Sequence, residues 1–407
     1  MMRILFLSRW FPHPVNNGAR IRIFNLLQAL HTKHEVTLVA FAEEDVPQAS
    51  LAAMQAICGD VHVVPYHGFR PGSVRARLGF FSPTPRSVID TFSAELLATV
   101  EQVAAVWRPE LVIASEIDML RYALAVKDAG RVLEELELAV PYDAYHHAPR
   151  GVTRLRKGLT WWKLERYLRR ALPALDLVTV VSPREQTLVQ RVCPELPVAI
   201  VPNGADLAAL AQVAAMPQPG TLIYSGALSY YANYDAVYYF LAEIFPLILA
   251  QAPATRLLIT GSTEGVALDQ LPPTPNVHFT GYLESVWPAV AGSWVAVVPL
   301  RLGGGTRLKI IESLALGTPV VATTKGAEGL GLTADVEIAI ADTPQHFAEA
   351  VLALLRNADR RRQFSERGRQ AVQRYDWAAI GRNFNDVLAG VAARRPSQAP
   401  AAAQERA

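Results

Sequence analysis

The sequence has little cysteine. Cys58 and Cys193 are the whole supply in 407 residues, with no metal-ligand spacing around them. A disulfide framework is excluded, and a reducing cytoplasm fits. Charge of one sign is also scarce: 39 Lys and Arg stand against 37 Asp and Glu, a net +2. That balance is too mild to imply nucleic-acid binding. No uninterrupted apolar run reaches membrane-spanning length. The opening MMRILFLSRW holds an apolar run too short for a signal segment and suited to a first strand. No G-x-G-x-x-G separates that strand from the next helix, so a dinucleotide-dependent dehydrogenase is poorly supported.

What the chain does have is an α/β alternation that runs twice. Its length predicts two domains of about 150–200 residues each. Its 51% hydrophobic content allows large cores. Strands are expected at 3–8, 35–41, 61–65, 110–115, 131–133, 176–181 and 197–201, with helices between them, including about 18–30. Residues 207–219 are small and proline-bearing, and read as a linker. The pattern then restarts at 221–225 and continues through 256–260, 277–279, 295–299 and 320–322. The expected fold is α/β: two Rossmann-like domains, 1–206 and 220–375, with parallel sheets facing a cleft. Residues 392–407 have few large apolar side chains and read as a disordered tail.

The most informative stretch is VVPLRLGGGTRLKIIESLALGTPVVATTKGAEGL, residues 297–330. Gly303, Gly304 and Gly305 follow a buried strand and free the backbone for close approach to a ligand. Thr306 suits an N-cap, and Ile310, Ile311, Leu314 and Ala315 recur at helical spacing. Gly317 stops that helix, with Pro319 beyond it. A strand, glycine loop and helix in this order present free N–H groups and a positive dipole end, an anion site suited to phosphate. Arg307 and Lys309 stand in the first turn, where cations are unfavourable, which points to a strongly anionic guest. Glu312, further along, could accept hydrogen bonds from ribose hydroxyls. Spacing alone also allows a glycine-rich turn with a solvated basic face.

The run GGGTRLKIIESLALGTPVVAT, with the later GAEGL, resembles the donor-site signature of retaining glycosyltransferases of family 4, which have the GT-B fold. The resemblance implies that Glu312 holds the nucleotide ribose and that the glycine loop holds the pyrophosphate and sugar. The family commonly has a second Glu before this one with seven residues between the two, a place where this chain has Gly304. That feature resembles a subgroup associated with bacterial exopolysaccharide assembly. VPNGAD (201–206) resembles the end of the family's first domain, and a last helix, 376–391, would cross back to that domain. The family often has Arg after Gly226 and Lys six residues on, both clasping the pyrophosphate; here Ala227 and Asn233 occupy those places. Arg307 and Lys309 are then the nearest substitutes as catalytic cations. Tyr282 stands where the family sets the nucleotide base. The implied partners are a nucleotide-sugar donor and a glycan or lipid-linked acceptor, with no cofactor. No D-x-D occurs, so the metal-bound diphosphate mode of the other main glycosyltransferase fold lacks support.

Other residues carry weaker signals. Asn17 and Gly18 open a helix where a ligand could meet backbone N–H groups, or form a plain turn. Glu116 follows a strand end and is a candidate cleft carboxylate, or an ordinary capping residue. His146 and His147 are adjacent, point apart and read as exposed loop residues rather than a metal pair. Residues 150–170 form a basic, aromatic amphipathic helix. Either it docks on the sheet with Lys163, Arg166, Arg169 and Arg170 on the wet side, or it lies on a membrane surface. Residues 66–86 read as a Pro-, Gly- and Arg-rich excursion. Two rival functions remain at this stage: a nucleotide-sugar epimerase of the same architecture, and a non-catalytic nucleotide-sugar-binding module.

Overall fold

The computed structural model describes residues 1–303 and 306–394. Gly304, Gly305 and the expected tail from 395 onward lie outside the described residues. The chain divides into two compact units. The first is Met1–Val201 together with the chain from Gly381, and the second is Pro202–Ile380.

The first unit holds seven parallel strands: β1 Arg3–Ser8, β2 Glu35–Ala42, β3 Asp60–Pro65, β4 Leu111–Ser115, β5 Gly130–Glu134, β6 Leu177–Val180 and β7 Val198–Ile200. Their order is β3-β2-β1-β4-β5-β6-β7. The second holds six: β8 Thr221–Ser225, β9 Arg256–Thr260, β10 Val277–Gly281, β11 Val295–Val298, β12 Val320–Ala322 and β13 Ala339–Ile340. Their order, β10-β9-β8-β11-β12-β13, repeats the first. Helices cover both faces of each sheet, so central strands read as continuous apolar runs; Ile4 to Leu7 of β1 are fully buried. Each sheet reverses its winding beside its first strand, between β1 and β4 and between β8 and β11. Strand C-termini at such a switch point form the ligand crevice of open α/β sheets.

Several elements differ from the sequence expectation. The helix after β1, Gly18–His31, is expected from its spacing to bury the apolar positions Ile21, Phe24, Leu27 and Leu30, and instead buries Arg22, Ile23, Leu26, Leu27 and Leu30. The helix that the sequence pattern places after β8, at 234–249, starts earlier and is interrupted, as Tyr231–Tyr239, a π turn Phe240–Ile244 and Phe245–Gln251. Pro246 has no N–H to donate and crowds the carbonyl four residues back, and the wide turn before it accommodates this. His146 ends the helix Ala139–His146 instead of lying in a loop. The basic helix is Val152–Ala171, and its Lys163 is buried, not wet. The Lys163 ammonium donates to Gly79 O at 2.9 Å and Phe80 O at 2.8 Å, because the 66–86 excursion folds over it. The expected linker 207–219 contains a short helix, Leu207–Ala211.

The last helix, Trp377–Arg394, extends past the expected end at 391. Phe384, Leu388 and Val391 are buried. Asn385 Nδ2 donates to Ala29 O at 3.0 Å and Asn383 Nδ2 to Ile200 O at 3.2 Å, both in the first unit. A Cβ on Gly381 would stand 2.5 Å from that of Ala29, so helix and unit meet with no room for a side chain.

Candidate functional site

The switch point of the second sheet gathers most of the singled-out residues. Gly226 follows β8 and has φ +149°, a conformation that side chains rarely adopt. Gly303 follows β11 with φ +98°. The helix after the glycine loop is Leu308–Ala315, and Arg307 occupies its N-cap position without a side-chain capping bond. Thr306 is therefore not the cap: its carbonyl accepts from Leu308 N at 3.0 Å. Its hydroxyl is buried with no hydrogen-bond partner among the described residues.

Arg307 and Lys309 leave this helix start in different directions. The Arg307 guanidinium donates to Gly303 O at 3.0 Å and is 7% exposed. The Lys309 ammonium reaches across to β8. It donates to Tyr224 OH at 3.1 Å and Asn233 Oδ1 at 3.0 Å, and lies 4.3 Å from the Tyr224 ring centroid. Tyr224 OH in turn donates to Asn233 Oδ1 at 2.8 Å, and Asn233 Nδ2 to Ala227 O at 2.9 Å. A Cβ on Gly226 would come within 2.8 Å of Lys309 Nζ, so this glycine leaves space for the ammonium. Burial, reinforced by the nearby Arg307 charge, pushes Lys309 down to about 7; Glu312 opposes the fall. Glu312 stands one helical turn from Lys309. Its carboxyl is raised by burial, against a hydrogen bond from Trp287 Nε1 at 3.3 Å. Tyr282, after β10, is 78% exposed and available to a planar partner.

At the switch point of the first sheet, Glu116 follows β4 with φ +68°. Its carboxylate accepts from Trp10 Nε1 at 2.8 Å, and burial raises it to about 7 against that bond. Asn17 caps the helix Gly18–His31, accepting from Arg20 N at 2.9 Å through its side chain. No atom lies within 4 Å of a Cβ placed on Gly18.

Two families of known sequences match in succession. "Glycosyltransferase Family 4" matches residues 16–209, and "Glycosyl transferases group 1" matches residues 219–357. The chain belongs to the GT-B glycosyltransferases. Phosphatidyl-myo-inositol mannosyltransferase of Mycobacterium leprae is 28% identical over 203 residues, 47% of this chain and 53% of that protein. The chain thus spans about half the length of that relative. A Klebsiella pneumoniae protein described as an uncharacterized 44.6 kDa protein in the cps region is 19% identical over 88% of this chain and 92% of its own. Among solved structures, sucrose-phosphate synthase from Thermosynechococcus elongatus has TM-score 0.66 at 18% identity, over 97% of this chain and all of that one. Anabaena HepE in complex with UDP and glucose has TM-score 0.63 at 16% identity, over 96% and 100%. WaaG, a glycosyltransferase involved in lipopolysaccharide biosynthesis, has TM-score 0.62 at 14% identity, over 95% and 100%.

Sequence reasoning found the loop and helix of this GT-B glycosyltransferase but missed Tyr224, Asn233's present partner and the Arg22 pair. Ala227 and Asn233 had looked like two lost cations. In the fold, Asn233 holds the Lys309 ammonium instead, so a positive charge still stands beside Gly226. Nothing in the local spacing joins residues 76 apart in the chain. The Arg22 guanidinium, fully buried in an otherwise apolar helix face, donates through Nε to Glu134 Oε1 at 2.7 Å. Ser115 Oγ donates to Glu134 Oε2 at 3.0 Å. This pair fastens the first helix to the ends of β4 and β5, beside Glu116. Among the described residues no group of three or more His, Cys, Asp or Glu is placed to hold a metal ion.

Proposed function

We propose that this enzyme transfers a sugar, with retention, from a nucleotide-sugar bound by the second unit to a glycan or lipid-linked acceptor bound by the first. The setting would be bacterial polysaccharide synthesis at the cytoplasmic side of a membrane. The observation that carries the reading is the buried Lys309 ammonium beside Gly226, at the switch point of the second sheet. A buried cation with a depressed pKa is costly, and a departing nucleoside diphosphate is an anion that would offset the cost. Arg307 and the N–H groups at the start of the helix Leu308–Ala315 add to that field. Glu312 would accept from the ribose hydroxyls, Tyr282 would face the base, and Glu116 would sit beside the acceptor. Support for a nucleotide-sugar comes from HepE, whose structures are complexes with UDP and glucose and with UDP-glucose. Support for a lipid-linked or polysaccharide acceptor comes from the names of the mannosyltransferase and of WaaG.

The test is a thermal-shift screen of nucleoside diphosphates and their sugars, followed by incubation of each binder with and without membrane extract. Stabilisation by one diphosphate, with sugar transfer only when acceptor is added, is expected. Isomerised sugar without acceptor would replace the reading with an epimerase.

A further inference from the structure

The basic charge of this chain is concentrated in two segments of the first unit. Residues 150–170 hold eight Lys and Arg against one Glu, and residues 66–86 hold four Arg and no acid. The whole chain is only +2, so the remainder is net acidic. The same two segments carry a concentration of exposed apolar side chains. On the helix Val152–Ala171, Val152 is 82% exposed, Leu155 75%, Leu159 45% and Trp162 49%. At about 100° per residue these four fall within one stripe roughly 80° wide. Arg166 and Arg170 lie within the same stripe and Arg156 lies beside it; all three are exposed.

Lys163 borders that stripe and is covered by Gly79 and Phe80. The excursion is therefore bound next to the stripe, with its own apolar residues turned outward: Val74 73% exposed, Leu78 65%, Phe80 52% and Phe81 92%. Arg86 fixes the bend, with its guanidinium 3.8 Å from the Phe80 ring centroid and donating to Ala76 O at 2.7 Å. Arg75 and Arg77 are exposed beside these residues. Beside the helix, a groove of ≈ 930 Å³ continues the surface, lined by Tyr145, Arg154, Leu155, Trp162 and Arg191 among others.

We propose that this two-segment surface docks on an anionic phospholipid bilayer, with Leu78, Phe81, Leu155 and Trp162 entering the acyl boundary and the arginines meeting the headgroups. The pairing of chemistries selects the occupant. A soluble polyanion would use the arginines and gain nothing from a Phe that is 92% exposed. A neutral apolar partner would not call for the exposed Arg75, Arg77, Arg156, Arg166 and Arg170 of the two segments. An anionic bilayer takes both, as interfacial amphipathic helices do. The surface deepens the reading of a lipid-linked acceptor and rests on it for its purpose.

The experiment is flotation of the full chain with vesicles of phosphatidylcholine alone and of phosphatidylcholine with phosphatidylglycerol, with no donor or acceptor present. The protein is expected to float with the anionic vesicles only and to be released by high salt. Arg156→Glu/Arg166→Glu/Arg170→Glu should weaken partition on the order of a hundred-fold or more, from about five-fold per basic residue. Leu78→Ser/Phe81→Ser should weaken it about ten-fold or more, with an unchanged melting curve because both side chains are exposed. Absence of the native protein from the anionic vesicles would overturn the proposal. So would an apolar variant that binds as the native protein does, since charge alone would then explain the binding. Vesicle binding in a protein that transfers no sugar would remove the transferase reading and leave this surface standing.

Discussion

Lys309 offers a test in which stability and binding move in opposite directions. Its pKa falls from the usual 10.5 to about 7 on burial, which at about 1.4 kcal/mol per unit is a cost on the order of 5 kcal/mol for a charged ammonium there. The sign follows from proton counts. Between pH 7 and 10.5 the unfolded chain holds this proton and the folded chain does not, so this group's contribution to stability rises with pH across that window. Below pH 7 the full penalty is present. Lys309→Met removes the charge and keeps the length of the side chain. Asn233 Oδ1 still accepts from Tyr224 OH, so no acceptor is orphaned. The variant should therefore be more stable than the native protein at pH 6, by about 2–4 kcal/mol after allowing about 1 kcal/mol for the lost hydrogen bonds. That advantage should shrink as pH rises towards 10. Nucleoside diphosphate affinity should change the other way, falling about ten- to a hundred-fold with the loss of one charged contact. Native affinity should also fall as pH rises from 7 to 9, because the free ammonium must take up a proton to meet the anion; the variant should be flat. Urea denaturation across pH and calorimetric titration with UDP and GDP read both quantities. A variant less stable at pH 6, or one whose diphosphate affinity is unchanged, refutes the argument.

Three further outcomes are expected. Glu312→Gln should weaken nucleoside monophosphate and diphosphate binding alike by about ten-fold, since the role proposed for it is at the ribose, and equilibrium titration with UMP and UDP shows whether the two losses match. Arg307→Ala should lower kcat/KM about ten- to a hundred-fold and weaken the diphosphate more than the monophosphate; equal losses would take the guanidinium off the β-phosphate. Arg22→Met should cost about 3–5 kcal/mol by leaving the Glu134 carboxylate buried without its cation, and adding Glu134→Gln should recover much of it, as a urea-melt double-mutant cycle would show.

The α/β alternation was legible because buried parallel strands write short apolar runs, and most strand bounds moved by no more than a residue or two. The two-residue β13 was not, since two residues carry no period. The glycine loop and the helix after it were legible because Gly303, Arg307, Lys309 and Glu312 are close in sequence. Their directions were not: the cap position falls to Arg307 rather than Thr306, one residue later, which changes where each cation points. Lys163 shows the same limit from another side. Its place on the helix was readable, but a long-range loop, not the helix, decides whether it is wet. Arg22 was hidden because an arginine in an amphipathic pattern reads as surface until a carboxylate on another strand is known to meet it.

The last helix makes the first unit a product of both chain ends. Residues 1–201 leave the ribosome with the Ala29 and Ile200 carbonyls lacking the amide donors of Asn385 and Asn383, and with no partner for Phe384 or Leu388. The first unit is translated first and completed last. A fragment ending near residue 201 should bind hydrophobic dyes and aggregate, whereas the same fragment supplied with residues 377–394 as a peptide has its missing wall. During synthesis, the second unit can close on itself while the first is still held by chaperones, a reversal of the usual order in which domains mature from the N-terminus.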